Sequence, residues 1–164
     1  MKMRGKVWKY GNDINTDVIF PGKYTYTVTD PKEMAKHAME DLDPGFAANV
    51  KPGDFVVAGS NFGCGSSREQ AVICFREAGV SAVVAASFAR IYFRNAVNSG
   101  LPPVQCPEAI AAVESGDEIE VDLASGTIAT PKGIFHFPAF DGEVRNILSA
   151  GGLIPYTKKF LGVE

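Results

Sequence analysis

The feature that most restricts the fold is a regular alternation of short apolar runs and amphipathic stretches over residues 54–106. The apolar, strand-like segments are residues 55–58, 83–86 and 101–106. The amphipathic segments are residues 68–78 and 88–100, and their apolar residues recur at helical spacing. Gly79 and Gly100 stand where these two helices would end. Because strands that alternate with helices form parallel sheets with right-handed crossovers, the sequence predicts an α/β fold.

A second pattern, in which polar and apolar residues alternate, occurs within residues 117–140 and predicts two or three antiparallel strands separated by Ser-Gly and Lys-Gly turns. Nearer the N-terminus, a strand is predicted at 7–10 and an extended piece at 18–20, joined by a loop rich in Gly, Asn and Asp. Further helices are predicted at residues 31–40, 108–116, 141–150 and 157–162, and Asp30 is a typical N-cap for the first of them. We expect residues 1–164 to form a single mixed α/β domain, with parallel strand–helix units and an antiparallel β addition.

Length and composition limit the possible partners. With 164 residues, 46% of them hydrophobic, the chain can bury one core but is too short for two ordinary enzyme domains. Its formal charge of −3 offers no positive field for a polyanion, so no nucleic-acid partner is expected. The N-terminal MKMRGKVWKY lacks an apolar run after its basic residues, and no stretch reaches membrane-spanning length. We expect a cytoplasmic protein with no membrane contact.

The segment GSNFGCGSSREQAV, residues 59–72, follows the first strand of the central alternation and contains three glycines and three serines. The carboxyl end of a parallel strand is the usual place for ligands in open α/β sheets. Gly65 and the other glycines allow close approach of the backbone to a ligand. Ser66, Ser67 and Arg68 add two hydroxyls and a planar guanidinium that can bind a carboxylate through two bonds. This glycine loop is therefore predicted to bind an anion.

The glycine loop matches none of the common phosphate or nucleophile motifs. A Walker loop requires a lysine that this stretch lacks, and a dinucleotide fingerprint would require glycine in place of Arg68. A nucleophile elbow centred on Ser67 would require glycine in place of Glu69. A helix N-cap at Ser66 or Ser67 explains one serine and the glutamate, but neither the glycines nor an arginine in the first turn. We therefore favour anion binding over capping alone.

Two segments together, the glycine loop and YGNDINTDVIFPGKY (residues 10–24), resemble the small subunits of 3-isopropylmalate dehydratases in the aconitase superfamily, and the similarity covers nearly the whole chain. The resemblance implies a swivelling β/β/α domain like the aconitase C-terminal domain. It also implies a hydro-lyase of leucine biosynthesis that isomerises 2-isopropylmalate and 3-isopropylmalate through 2-isopropylmaleate. Such a small subunit is active only with a large subunit that carries a [4Fe-4S] cluster, so a heterodimer or heterotetramer is expected.

The same resemblance implies roles for individual residues. Ser66 would be the catalytic base and Asp17 would act near it. Ser67 and Arg68 would bind a substrate carboxylate, with Gly65 beside them. In this superfamily the segment after Pro-Gly contacts the variable substituent of the substrate. Here that substrate loop contains Lys23, Tyr24, Thr25, Tyr26 and Thr27.

The substrate loop bears on which acid is bound. No arginine occurs between Arg4 and Arg68, so a third substrate carboxylate has no guanidinium partner in this region. This disfavours aconitase and homoaconitase activity, because an unpaired buried carboxylate costs several kcal/mol. Homoaconitate stays open because Lys23 could pair with a carboxylate as a point charge. Methylated malates such as dimethylmalate or citramalate stay open because Tyr-Thr-Tyr-Thr is more polar than an ideal isopropyl pocket.

The three cysteines, Cys64, Cys74 and Cys106, are an odd number without C-x-x-C spacing, which fits neither a disulfide framework nor a closed zinc site. An iron–sulfur cluster normally takes four thiolates, so this chain is expected to hold no metal or cofactor itself. Cys74 and Cys106 lie in apolar segments and are predicted to be buried. The alternative from another class of function is a non-catalytic module that binds phosphate or a carboxylate metabolite with the same glycine loop.

Overall fold

The computed structural model describes residues 1–163 and contains a seven-stranded mixed sheet within that range. The strands are β1 (Lys2–Lys9), β2 (Phe55–Ala58), β3 (Ala82–Ala85), β4 (Pro103–Gln105), β5 (Glu118–Asp122), β6 (Thr127–Thr130) and β7 (Gly133–His136). Their order across the sheet is β4-β3-β2-β1-β5-β6-β7. The helices of the described chain are α1 (Thr16–Ile19), α2 (Pro31–Lys36), α3 (Phe46–Asn49), α4 (Gln70–Glu77), α5 (Arg90–Asn98), α6 (Pro107–Ile110), α7 (Gly142–Ala150) and α8 (Leu153–Phe160), with a 3₁₀ turn at Gly22–Tyr24.

Strand β1 joins a parallel half of the sheet to an antiparallel half. Its last residues, Val7 to Lys9, pair in parallel with β2, whereas Lys2 to Lys6 pair antiparallel with β5. Strands β2, β3 and β4 continue the parallel half, and β5, β6 and β7 form the antiparallel addition. The predicted α/β fold class, with parallel strand–helix units and an antiparallel addition, is confirmed.

The parallel half of the sheet is buried on both faces. In β2, Val56 and Ala58 belong to one apolar cluster, while Phe55 and Val57 belong to a second cluster on the other face. All four side chains are at most 1% exposed. A strand covered on both faces has no solvent side, so it reads as a continuous apolar run rather than an alternating one.

Two elements near the N-terminus differ from the sequence-based predictions. Residues 18–20 were expected to be extended, but Thr16–Ile19 form the one-turn helix α1, which Asn15 caps by accepting from the Val18 N–H. Helix α2 has the predicted start, since Asp30 accepts from the Lys32 N–H, but it ends at Lys36 rather than at 40. The chain leaves the helix there because the Met39 N–H donates to the Ile19 carbonyl, a bond that joins this turn to α1.

Two predictions for the central helices also need correction. Helix α4 begins at Gln70 rather than at residue 68, and neither Ser66 nor Ser67 caps it: Glu69 is the N-cap residue and makes no side-chain bond to the helix. In α5, the helical spacing of the apolar residues predicts that Ile91 faces the core, but 51% of this residue is exposed. The other predicted elements are present with shifted ends: the strand at 7–10 begins at Lys2, and the helices at 108–116 and 157–162 correspond to α6 and α8.

No helix of residues 1–163 is both long and apolar enough to cross a membrane.

Candidate active site

Three loops meet at one edge of the sheet. Strands β1, β2 and β3 are parallel, so their carboxyl ends lie at the same edge. The segments that follow them are residues 10–15, 59–68 and 86–89, and the last two lead into α4 and α5. This edge is the expected location of a ligand site in an open parallel sheet.

Hydrogen bonds to backbone carbonyls hold these loops together. The Thr16 N–H donates to the Cys64 carbonyl at 2.9 Å, and the Thr16 hydroxyl donates to the Ser66 carbonyl at 2.8 Å. On the other side, the Ala89 N–H donates to the Phe62 carbonyl at 2.9 Å. The bond to Ser66 uses its backbone carbonyl, so it fixes the position of this residue without using the hydroxyl.

Two glycines in the loop are required by its geometry. Gly63 has φ +80°, and a Cβ at this position would overlap the ring of Tyr92. Gly65 has φ +98°, a left-handed conformation that residues with a side chain rarely adopt. Tyr92 is itself fixed, because its hydroxyl donates to the Ala71 carbonyl at 2.9 Å inside the core. The glycines therefore let the loop pack closely on α5 and turn its serines outward.

The outward face of the loop lines a cleft of about 200 Å³. The lining residues from the loop include Gly65, Ser66, Ser67 and Arg68. Gly65 and both serines are exposed. The cleft thus brings together the two serines, the arginine and the glycine of this loop that the sequence selected as site residues.

Arg68 is held by two residues of the N-terminal segment. Its Nη2 contacts the Asp17 carboxylate, and its Nη1 donates to the Thr25 hydroxyl at 2.8 Å. Only 12% of the Arg68 side chain is exposed, whereas 67% of the Asp17 side chain is. The Gln70 amide donates to the Thr25 carbonyl at 2.9 Å and so holds the same loop against α4. Asp17, which the family resemblance placed near Ser66, therefore contacts Arg68 directly.

The start of the substrate loop faces a different cluster. The Tyr24 hydroxyl donates to Glu40 at 2.9 Å, the Lys23 ammonium lies 3.7 Å from the same carboxylate, and the Tyr24 ring stacks on His37. Hydrogen bonds from His37 and Tyr24 lower the pKa of Glu40, and the bond to Glu40 raises the pKa of Tyr24. Lys23 and Tyr24 are thus already paired within the chain.

The remaining substrate-loop residues lie in different environments. Thr25 contacts Arg68, whereas Tyr26 is 94% exposed and Thr27 is also exposed. None of residues 23–27 is among those that line the cleft in the described chain. Their role in recognising the variable substituent stays a prediction.

Several residues that line the cleft were not selected from the sequence. They are Thr16, Gly63, Ala89, Arg90, Ile91, Tyr92 and Asn95. Four of them come from α5, which starts after β3 at the same edge of the sheet as the glycine loop. The order of the elements could have identified α5 as part of the site. The segment that follows the second parallel strand begins at the same edge of the sheet as the segment that follows the first.

No group of three or more His, Cys, Asp or Glu side chains within residues 1–163 could hold a metal ion. The free thiols are dispersed: Cys74 and Cys106 are buried, as predicted, and Cys64 is partly buried in the glycine loop. Burial raises the pKa of the Cys74 thiol. The donor set of an iron–sulfur cluster is thus not assembled in this part of the chain.

Comparison with known proteins shows the family to which this chain belongs. The model of the aconitase C-terminal domain matches residues 6–109, a segment that contains every residue that lines the cleft. The chain belongs to the aconitase C-terminal domain family. The family expected from the two sequence motifs is therefore confirmed.

Members of the aconitase family that resemble this chain are similar to it along their whole length. The 3-isopropylmalate dehydratase small subunit of Thermodesulfovibrio yellowstonii is 49% identical over 166 residues, which cover 100% of this chain and 98% of that protein. The 2,3-dimethylmalate dehydratase small subunit of Eubacterium barkeri is 50% identical over 158 residues, covering 95% and 96%. A crystal structure of 3-isopropylmalate dehydratase from Methanocaldococcus jannaschii superposes with a TM-score of 0.92 at 45% identity, covering 98% of this chain and 96% of that one.

Proposed function

We propose that the chain is the small subunit of a hydro-lyase that interconverts 2-isopropylmalate and 3-isopropylmalate through 2-isopropylmaleate, in leucine biosynthesis. The observation that carries the proposal is that Ser66, Ser67 and Arg68 line one cleft in a chain whose full-length relatives include 3-isopropylmalate dehydratase small subunits. We propose further that residues 1–164 act as a single swivelling domain in the cytoplasm.

In the proposed mechanism, Ser66 acts as its alkoxide, which the positive charge of Arg68 stabilises. The alkoxide removes a proton from the carbon next to a substrate carboxylate and becomes a neutral hydroxyl. This step develops enolate-like negative charge, and a fixed positive group stabilises such charge where it forms. Arg68 supplies that group, Ser67 adds a hydroxyl donor, and Gly65 lets the backbone approach the substrate. Asp17 and Thr25 orient the guanidinium, so Arg68 does not have to be immobilised when the substrate binds.

The second half of the reaction, loss of hydroxide from the adjacent carbon, requires a Lewis acid or a strong general acid. We propose that a separate large subunit supplies it with a [4Fe-4S] cluster, in a heterodimer or heterotetramer. The cleft is open at the surface of this chain, which leaves room for a second polypeptide to close it. Lys23, Tyr24, Tyr26 and Thr27 are proposed to contact the variable part of the substrate once that closure occurs.

A second candidate substrate is 2,3-dimethylmalate. The Eubacterium barkeri relative, which is 50% identical to this chain, is a 2,3-dimethylmalate dehydratase small subunit. The two acids carry the same two carboxylates and differ in their apolar part, so the carboxylate-binding residues would serve both. A pocket distinguishes acids that differ by one or two carbons by only about 1–3 kcal/mol.

The proposal is tested by coexpression with a cluster-bearing large subunit and anaerobic assay on 3-isopropylmalate, 2,3-dimethylmalate, citramalate and homoaconitate. We expect the purified pair to prefer isopropylmalate and the chain alone to be inactive. Ser66→Ala should lower kcat by about 10²- to 10⁴-fold, because it removes the proposed base. Ser60→Ala, which removes a hydroxyl of the same loop outside the cleft, is the matched control and should leave kcat unchanged.

Three results would contradict this proposal. Turnover by the chain without a partner would show that the second subunit is unnecessary. A higher kcat/KM for homoaconitate than for isopropylmalate would overturn the assigned substrate class. Stable isolation of the chain as a lone oligomer that binds phosphate or carboxylates, with no large subunit that copurifies, would favour a non-catalytic module.

A further inference from the structure

The cleft that contains Ser66 has a second arginine on the wall formed by α5. Arg90 is the first residue of that helix and is exposed. Among the described residues that line the cleft, Arg68 and Arg90 are the only ones with charged side chains. The cleft therefore has two positive groups, one on each of two neighbouring strand–helix connections.

The local structure does not account for Arg90. A positive charge in the first helical turn lies at the positive end of the helix dipole, so it opposes helix stability there. No carboxylate of residues 1–163 lies within 4.0 Å of Arg90. An unfavourable charge without an intramolecular partner, on the wall of a cleft, fits a group that binds an anion from outside the chain.

Arg68 has little capacity for two carboxylates. Its Nη1 and Nη2 atoms already bind Thr25 and Asp17, and its Nε is buried without a partner. Asp17 also offsets the charge of Arg68 at short range. A substrate with two carboxylates would thus leave the second one without a strong cationic partner from this chain, unless Arg90 provides it.

We propose that Arg90 is a substrate-binding residue that holds the carboxylate not held by Arg68. The assignment rests on the proposed function, because it requires a dicarboxylic hydroxy acid in the cleft. The guanidinium suits this task, since its planar donors match the two oxygens of a carboxylate. Ser66 would then lie between two fixed ends of the same substrate.

The test is steady-state kinetics of the reconstituted complex with Arg90→Gln, Arg90→Lys and Arg94→Gln. Arg94 is the matched control: it lies one turn along α5, is exposed, forms no ion pair within residues 1–163 and does not line the cleft. A charge-assisted hydrogen bond to a carboxylate corresponds to about 10- to 100-fold in affinity. We expect Arg90→Gln to raise KM by roughly that factor with a nearly unchanged kcat, because the contact is similar in ground and transition states. Arg90→Lys should fall between the wild type and Arg90→Gln, and Arg94→Gln should match the wild type.

The outcomes separate this proposal from the function on which it rests. A wild-type complex inactive on all four acids overturns the proposed function, and the role of Arg90 with it. An active wild type, with Arg90→Gln indistinguishable from Arg94→Gln, overturns the role of Arg90 alone. Gel filtration of each complex completes the test: if Arg90→Gln fails to bind the large subunit, Arg90 is an interface residue and the proposal is wrong.

Discussion

The positively charged side chain of Arg68 is only 12% exposed, and its contacts with Asp17 and Thr25 compensate for this burial. A buried cation is strongly unfavourable unless it is paired and hydrogen-bonded. The pairing has a chemical consequence, because Asp17 weakens the attraction of Arg68 for an incoming carboxylate while fixing its direction. At the residue scale, the site thus has one oriented and partly neutralised arginine, and one exposed arginine that is free to bind.

Gly63 provides a test of how closely the loop packs on α5. Replacement by alanine forces a strained φ near +80° and also drives a Cβ into the Tyr92 ring. Gly116 has a similar φ of +90°, and a Cβ added there would meet no atom within 4 Å, so Gly116→Ala isolates the backbone strain. We expect Gly116→Ala to cost about 1 kcal/mol and Gly63→Ala about 3 kcal/mol or more, measured by urea unfolding. Equal losses in the two variants would contradict the proposed contact with Tyr92.

At the element scale, the parallel strands were the most predictable part of the fold and α1 the least. Both ends of β2 were predicted correctly. The strand is buried on both faces, so all its residues are apolar and the apolar run marks where it begins and ends. The run Val18-Ile19-Phe20 fits a strand equally well, and contacts with distant residues decide against it: the Thr16 N–H bonds to Cys64 and the Met39 N–H to Ile19. Such bonds join residues that are far apart in the chain, so the local sequence does not predict them.

The residues of the candidate site also differ in how well the sequence predicts them. Ser66, Ser67 and Arg68 were found from the sequence because a glycine-rich loop after a strand is a local signal. Arg90 was missed because "FARIYFRN" reads as an ordinary amphipathic helix, and its exposed Ile91 was interpreted as a core residue. The contact of Asp17 with Arg68 spans 51 positions in sequence, and nothing near either residue specifies it.

Helix α1 presents both Thr16 and Asp17 to the site, so its cap should affect function. Asn15 accepts from the Val18 N–H at 2.9 Å, and this side-chain bond caps a helix of only four residues. We expect Asn15→Ala to cost about 1 kcal/mol in unfolding free energy and also to lower kcat/KM of the complex, whereas Asn15→Asp keeps the cap. Asp30→Ala, which removes the cap of α2, should cost a similar amount without changing kcat/KM. If both alanine variants have the same kcat/KM, the cap of α1 has no special role in the site.

At the scale of the whole molecule, the two halves of the sheet differ in their relation to the cleft. The parallel half ends at the edge where the glycine loop and the start of α5 line the cleft, and the antiparallel half extends the sheet away from this edge through β5 to β7. Strand β1 belongs to both halves, since its two ends pair with different neighbours. A partner that closes the proposed site would therefore contact the edge at the carboxyl ends of β1 to β3 and leave β6 and β7 free.

Hydrogen exchange can test this division in the intact protein. The segments 65–67 and 90–91 are exposed to solvent around the cleft, and a bound large subunit with substrate should slow exchange of their backbone amides. Exchange in β6 and β7 should stay the same, which makes these strands the internal control. Protection confined to β5 to β7 would place the partner at the wrong end of the sheet, and Ser66 could not then act on a substrate shared by two subunits. If a second chain completes the active site, both cleft segments should be protected in the complex. Neither segment should be protected when the large subunit is omitted.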